Sequence, residues 1–174
     1  MQGQNPGELF DVVDVNDRVV GRATRREVHA RKLLHRAVHV MVEDAAGRIF
    51  LQKRSRYKDT HPGAWCAACA GHVDAGEDYT DTVPRELHEE LGLAPDSIGT
   101  PEELFRLGPC AETGWEFIRI YRLRHEGPFV LPPAEIERGD WFTPADIDAS
   151  VAARPGDFTP SFRLIWERWR QDGR

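Results

Sequence analysis

Long apolar runs are missing from this chain. No stretch approaches the ~18 consecutive hydrophobic residues that a membrane-spanning helix needs, so no membrane partner is expected. Cysteine is scarce as well: Cys66, Cys69 and Cys110 are the 3 thiols, an odd number and too few for a disulfide framework, which suits a reducing compartment. Positive charge in excess is also absent. The 23 Lys and Arg stand against 29 Asp and Glu for a formal net charge of -6, whereas a general nucleic-acid binder carries a basic surplus to neutralise phosphates. The opening MQGQNPGELF has no basic-then-apolar build, so a cytoplasmic protein is expected. There is no internal repeat or low-complexity run, and the Pro/Gly clusters are short enough to be turns.

What remains is an ordinary soluble composition, 40% hydrophobic and 30% charged over 174 residues, about the length of one domain. FDVVDVNDRVVGRATR alternates around Asn16-Asp17 as a β-hairpin would, and REVHARKL has helical composition; together they predict an N-terminal extension over about 8–30. HRAVHVMVED, the turn AAGR and IFLQKRS predict a second hairpin, and AWCAACAGHV reads as one short buried strand. A helix is expected from about Thr80 to Leu91, starting as late as Thr82 if Pro84 lies in its first turn. ELFRLGPC, EFIRIYRLRH and GDWFTP read as strands and PADIDASV as a helix. The last helix, about 159–171, has Thr159 to cap it, Pro160 for its first position and an apolar face of Phe162, Ile165, Trp166 and Trp169. Interleaved strands and helices predict an α+β fold, an α/β/α sandwich with a mixed β-sheet between helices.

The chemistry concentrates in GHVDAGEDYTDTVPRELHEELGL, residues 71–93. On a helix Glu86, Glu89 and Glu90 stand at i, i+3 and i+4, so three carboxylates share one face. Like charges at that spacing cost an isolated helix roughly 0.2–0.5 kcal/mol per pair. A hard divalent cation turns the same repulsion into ligation by oxygen. Leu87 and Leu91, on another side, would bury the helix against the sheet. Arg85 can pair with Glu77 and tie the preceding loop to the helix. Gly71 lets the backbone come close to a metal or phosphate, and Gly92 ends the helix.

Gly71, Glu77, Arg85, Glu86, Leu87, Glu89, Glu90, Gly92 and Leu93 fill all the fixed positions of Gly-x5-Glu-x7-Arg-Glu-apolar-x-Glu-Glu-x-Gly-apolar. The chain therefore resembles the Nudix hydrolase family. The approach Gln52 to Ser55, Lys58, Pro62, Gly63 and Trp65, and the later EIE and WFTPADI, are similar to that family too, so the resemblance covers most of 10–170. It implies a single Nudix domain over 1–174 that hydrolyses a nucleoside diphosphate linked to another group. It further implies Mg²⁺ or Mn²⁺ held by Glu86, Glu89 and Glu90 with a main-chain carbonyl of Ala70 or Gly71. A loop carboxylate, Glu135 or Glu137, is the expected general base, and Lys53, Arg54 and Lys58 are expected to contact distal phosphates. The expected partner is a small phosphorylated substrate, with no nucleic-acid polymer and no protein partner implied.

Two other readings compete. The chain is also similar to isopentenyl-diphosphate isomerase around LHRAV and in the strand before Gly71. That family carries a cysteine immediately before its Gly-His pair; here Ala70 stands there and Cys69 is one step off, which in a strand means the opposite face. It also has two glutamates, two apart, on a later strand; Glu116 matches one and Gly114 occupies the other, while His29 is displaced by one residue. An inactive binding module would be expected to have lost a box glutamate, and none is lost. A redox role for Cys66 and Cys69 is disfavoured because a reactive Cys-x-x-Cys sits at a helix N-terminus, and no second pair closes a zinc site. His39, His61, His88 and His125 match nothing, so core or surface positions are expected for them.

Overall fold

Strand β3, His35–Glu43, is the axis of the sheet: it is buried almost throughout and hydrogen-bonds to neighbours along both edges. The computed structural model describes Asn5 and residues 7–173. Before β3 come an antiparallel hairpin, β1 Leu9–Val13 with β2 Val19–Thr24, and helix α1, Arg25–Arg31, which carries a capping box between Thr24 and Glu27. Phe10, Ala23 and Val28 form a small apolar cluster between hairpin and helix.

β3 pairs antiparallel with β4, Ile49–Arg54, and parallel with β8, Glu116–Arg124, so the sheet is mixed. The expected AWCAACAGHV strand is two strands. β5, Trp65–Ala67, pairs with β4, and β6, Cys69–His72, pairs with β3, so the chain changes partner at Ala68. Small residues permit this, because both strands lie against covered sheet faces. β7, Glu102–Leu107, lines the outer edge of β8, and β9, Ile136–Phe142, the outer edge of β4.

Alternation along the strands divides the core. Val38, Val40 and Val42 of β3 pack with Leu87 and Leu91 of α2, Tyr79–Leu91. Ala37 and Met41 face the other way, onto Ile147 of α3, Pro144–Ala153, and onto Phe162, Ile165, Trp166 and Trp169 of α4, Pro160–Gln171. Full burial of each such large apolar side chain contributes about 1.5–3 kcal/mol. None of these helices is long and apolar enough to cross a membrane.

One expectation about α2 is corrected. Asp78 caps it, and the helix begins at Tyr79, next to the expected Thr80 and ahead of the late start at Thr82, so Pro84 lies beyond the first turn. Proline there removes one amide-to-carbonyl bond. The loss is tolerated because the acceptor would be Thr80, which is exposed to water, and because Thr82 Oγ1 donates back to the Asp78 carbonyl at 2.9 Å.

Candidate active site

Leu87 and Leu91 are fully buried, and seating them on the sheet turns Glu86 and Glu90 inward, one helical turn apart. Glu86 retains 8% and Glu90 6% of its accessible surface. The third carboxylate differs. Glu89 has a side chain 57% exposed and meets Arg85 Nη1 only at 3.4 Å, so the common face anticipated for three glutamates is two buried groups and one at the rim.

Ala70 N–H of β6 donates to Glu90 Oε2 at 3.0 Å, and Gln52 Nε2 of β4 donates to the same oxygen at 2.9 Å. Burial raises the Glu90 pKa, against the lowering influence of the Lys58 charge and these two donors. Burial is also the main cause raising Glu86, reinforced by the charge of Glu90 and countered by Arg85. Two carboxyls are thus held where anions are costly. Oxygen donors crowded in this way suit a hard divalent cation.

Arg85 organises the rest. Its Nε and Nη2 grip Glu77 at 2.9 and 2.8 Å, its Nη1 donates to Glu86 at 2.7 Å, and Nη2 also donates to the His72 carbonyl at 3.0 Å. The fork joins loop, strand and helix as its spacing predicts. Glu77 is held below the usual carboxylate range chiefly by those Arg85 hydrogen bonds. Gly92 ends α2 with φ 67°.

The basic residues separate. Lys58, nearly buried, is ion-paired with Glu135 and also acts on Glu90. Arg54 donates to the Thr60 carbonyl at 3.0 and 2.9 Å, bracing its own loop. Lys53 alternates to the face of β4 opposite Gln52 and pairs with Glu137 at 3.0 Å. Gln52 is the contact that sequence reasoning passed over; the alternation in IFLQKR was the signal that placed it on the side of Phe50, facing α2.

Cys66 and Cys69 are buried free thiols. Burial pushes the first up to about 11 and the second well above the usual thiol value, so neither is a thiolate at neutral pH. Cys69 pairs with Val40 and Ala70 with His39, which puts the thiol on the face opposite the residue that precedes Gly71-His72.

The NUDIX domain model matches residues 33–162. The chain belongs to the Nudix family. A Nudix hydrolase of Yersinia pestis described as uncharacterised is 34% identical over 172 residues, covering 97% of this chain and 91% of that protein. The crystal structure of DR0079 from Deinococcus radiodurans superposes with a TM-score of 0.75 at 30% identity, covering 84% of this chain and 90% of that one. The Nudix domain of Shewanella oneidensis NrtR, solved with ADP ribose, shares the fold at a TM-score of 0.63 and 18% identity, over 87% of this chain and 100% of that one. This Nudix protein is accordingly an enzyme of the class that hydrolyses acid anhydrides.

Proposed function

We propose that this Nudix hydrolase cleaves the phosphoanhydride bond of a nucleoside di- or triphosphate, or of another nucleoside-diphosphate derivative, by attack of water on phosphorus. The observation that carries the reading is the pair Glu86 and Glu90, buried one turn apart with both carboxyls raised above their ordinary range. Glu86, Glu89 and Glu90, with a main-chain carbonyl of Ala70 or Gly71, would hold Mg²⁺ or Mn²⁺. When bound, such a cation neutralises the diphosphate and lowers the pKa of the attacking water.

The chain's own residues do the remainder. Arg85 fixes Glu86 and ties down the loop through Glu77, while Gln52 and the Ala70 amide orient Glu90. Lys58 and Arg54 supply positive charge beside a polyanionic substrate. Glu135, the ion-pair partner of Lys58, takes the proton of the water whose oxygen joins phosphorus, and the bridging oxygen departs with the other phosphate. ADP ribose, bound by the NrtR domain, belongs to the same chemical class as the proposed substrates. The three free thiols suit a reducing, cytoplasmic setting.

Incubation with Mg²⁺ and a nucleotide panel in ¹⁸O-labelled water tests this: label is expected in a phosphate product, with none formed in excess EDTA. Conversion of isopentenyl diphosphate to its dimethylallyl isomer, with no nucleotide cleaved, would overturn it.

A further inference from the structure

Pro84 and Glu86 stand two residues apart on α2, which at about 100° per residue puts them on opposite sides of the helix. Glu86 belongs to the box. Pro84 lines a cavity of about 270 Å³ between the first half of α2 and the segment 95–101 that leads into β7. Val83 and Pro84 form one wall, Pro95, Ile98 and Pro101 the other, and Tyr121 of β8 closes the inner end. Among the described residues, no charged side chain lines this space. The prolines hold φ near −65°, so the walls keep their shape and little has to be ordered when a ligand enters.

Tyr121 is the independent sign of a ligand. It retains only 4% of its accessible surface, and its Oη is buried without a hydrogen bond. A buried tyrosine hydroxyl ordinarily has a partner. The neighbouring charges are engaged elsewhere: Arg119 Nη1 meets Glu103 at 3.4 Å, and its guanidinium lies over the Tyr79 ring at 3.9 Å. Burial, aided by the Glu103 charge and opposed by Arg119, raises the Tyr121 pKa, so the phenol keeps its proton at neutral pH and can donate it. An acceptor borders the same space. Proline at 84 has no N–H to offer the Thr80 carbonyl, and Thr80 and Pro84 both line the cavity.

We propose that this cavity binds a small uncharged heterocycle of about the size of a nucleobase, whose ring nitrogen or carbonyl accepts from Tyr121 Oη and whose flat faces lie between the proline walls. The lining selects that class. Apolar walls without a cation turn away phosphorylated compounds, because a buried anion there would lose water and gain nothing in return. The volume falls just below the ~300–1,000 Å³ of sites for drug-sized molecules, which limits the occupant to one ring or two fused rings. A ring N–H would find the Thr80 carbonyl. The site is thus separate from the box, whose proposed substrates are polyanions.

Titration of the ¹⁵N-labelled full-length protein in EDTA at about pH 8 with isoquinoline, adenine or 2-pyridone, all neutral there, tests the proposal. Saturable shifts are expected for the amides of residues 80–83 and 98–100, together with a rise in Tm as the compound is added. Tyr121→Phe removes one oxygen, so affinity should fall about fivefold or more. The Tm of the ligand-free variant should not fall, since that oxygen has no hydrogen bond to lose. Thr100→Trp, at an exposed position of the wall, should close the cavity and abolish the shifts with the circular dichroism spectrum retained. Absence of saturable shifts at these amides with all three compounds, undiminished binding by Tyr121→Phe, or equal shifts with adenosine 5′-monophosphate would overturn the proposal. With undiminished binding, the hydroxyl would belong to the Arg119–Glu103 pair. Turnover enters none of these readings, so this site and the hydrolase reading fail separately.

Discussion

The Cβ that residue 71 lacks would lie 1.9 Å from the carboxylate carbon of Glu86 and 2.1 Å from its Oε1. No side chain fits there while Glu86 keeps its place. The glycine of the box is thus explained by the approach of a helix carboxylate to the strand. Because the clash is with the end of a flexible side chain, Gly71→Ala should displace Glu86 rather than unfold the protein. Hydrolysis is expected to fall by at least tenfold with Tm nearly unchanged, checked by turnover alongside a melting curve.

Glu86→Gln and Glu89→Gln are each expected to lower kcat by orders of magnitude with the circular dichroism spectrum retained, because ligand charge is lost without loss of volume. Full activity in both variants, or in excess EDTA, would remove the metal assignment.

The buried pair also predicts a pH dependence of stability. Burial raises both carboxyls, so as pH rises above the ordinary value of 4.5 the folded metal-free chain retains protons that the unfolded chain has released. Stability therefore falls with rising pH in that range. Glu116 and Glu77, held below the ordinary value, act in the opposite sense, and their contribution is lost only below pH 4.5. His39 and His72, held down to about 4 by burial, act against the pair until the pH passes their ordinary value of 6.5, so melting curves in EDTA between about pH 6.5 and 8 should show Tm declining, with Mg²⁺ or Glu86→Gln flattening the slope.

Replacing Arg85 by lysine keeps the charge and loses the planar fork that holds Glu77 through two nitrogens. A point charge cannot reproduce that grip. Arg85→Lys should cut kcat by tenfold or more and lower Tm by several degrees; equal kcat in the two proteins would show that loop anchoring is not needed.

Cys66→Ala/Cys69→Ala should retain near-normal kcat and cost roughly 1–2 kcal/mol in denaturant unfolding, since both thiols are buried and protonated. Collapse of activity with an unchanged unfolding curve would give the cysteines a chemical role.

Most of the architecture was legible before the fold was known because its signals are local. Alternation about Asn16-Asp17, the Thr159-Pro160 start of α4 and the 3.6-residue spacing of Phe162, Ile165, Trp166 and Trp169 each depend on neighbouring residues, and the structure has them where expected. The break at Ala68 and the place of Pro84 beyond the first turn of α2 were not legible. Strand partners are set across the sheet, and the proline at 84 is tolerated only because of groups that flank it in space.

By itself, the sequence determined the family and the identity of the box: residue types and spacings from Gly71 to Leu93 are linear information, and a helix converts i, i+4 spacing into proximity without help from the rest of the chain. Tertiary structure decided which of three glutamates are buried, that Gln52 holds Glu90, and that Lys58 rather than Lys53 stands beside the box. It also decided that His29, His35, His72 and Glu116, drawn from α1, β3, β6 and β8, meet at all. The reason is physical: strand register and the packing of α2 on Val38, Val40 and Val42 determine which side chains leave water, and a carboxylate that has lost water gains most from a neighbouring cation.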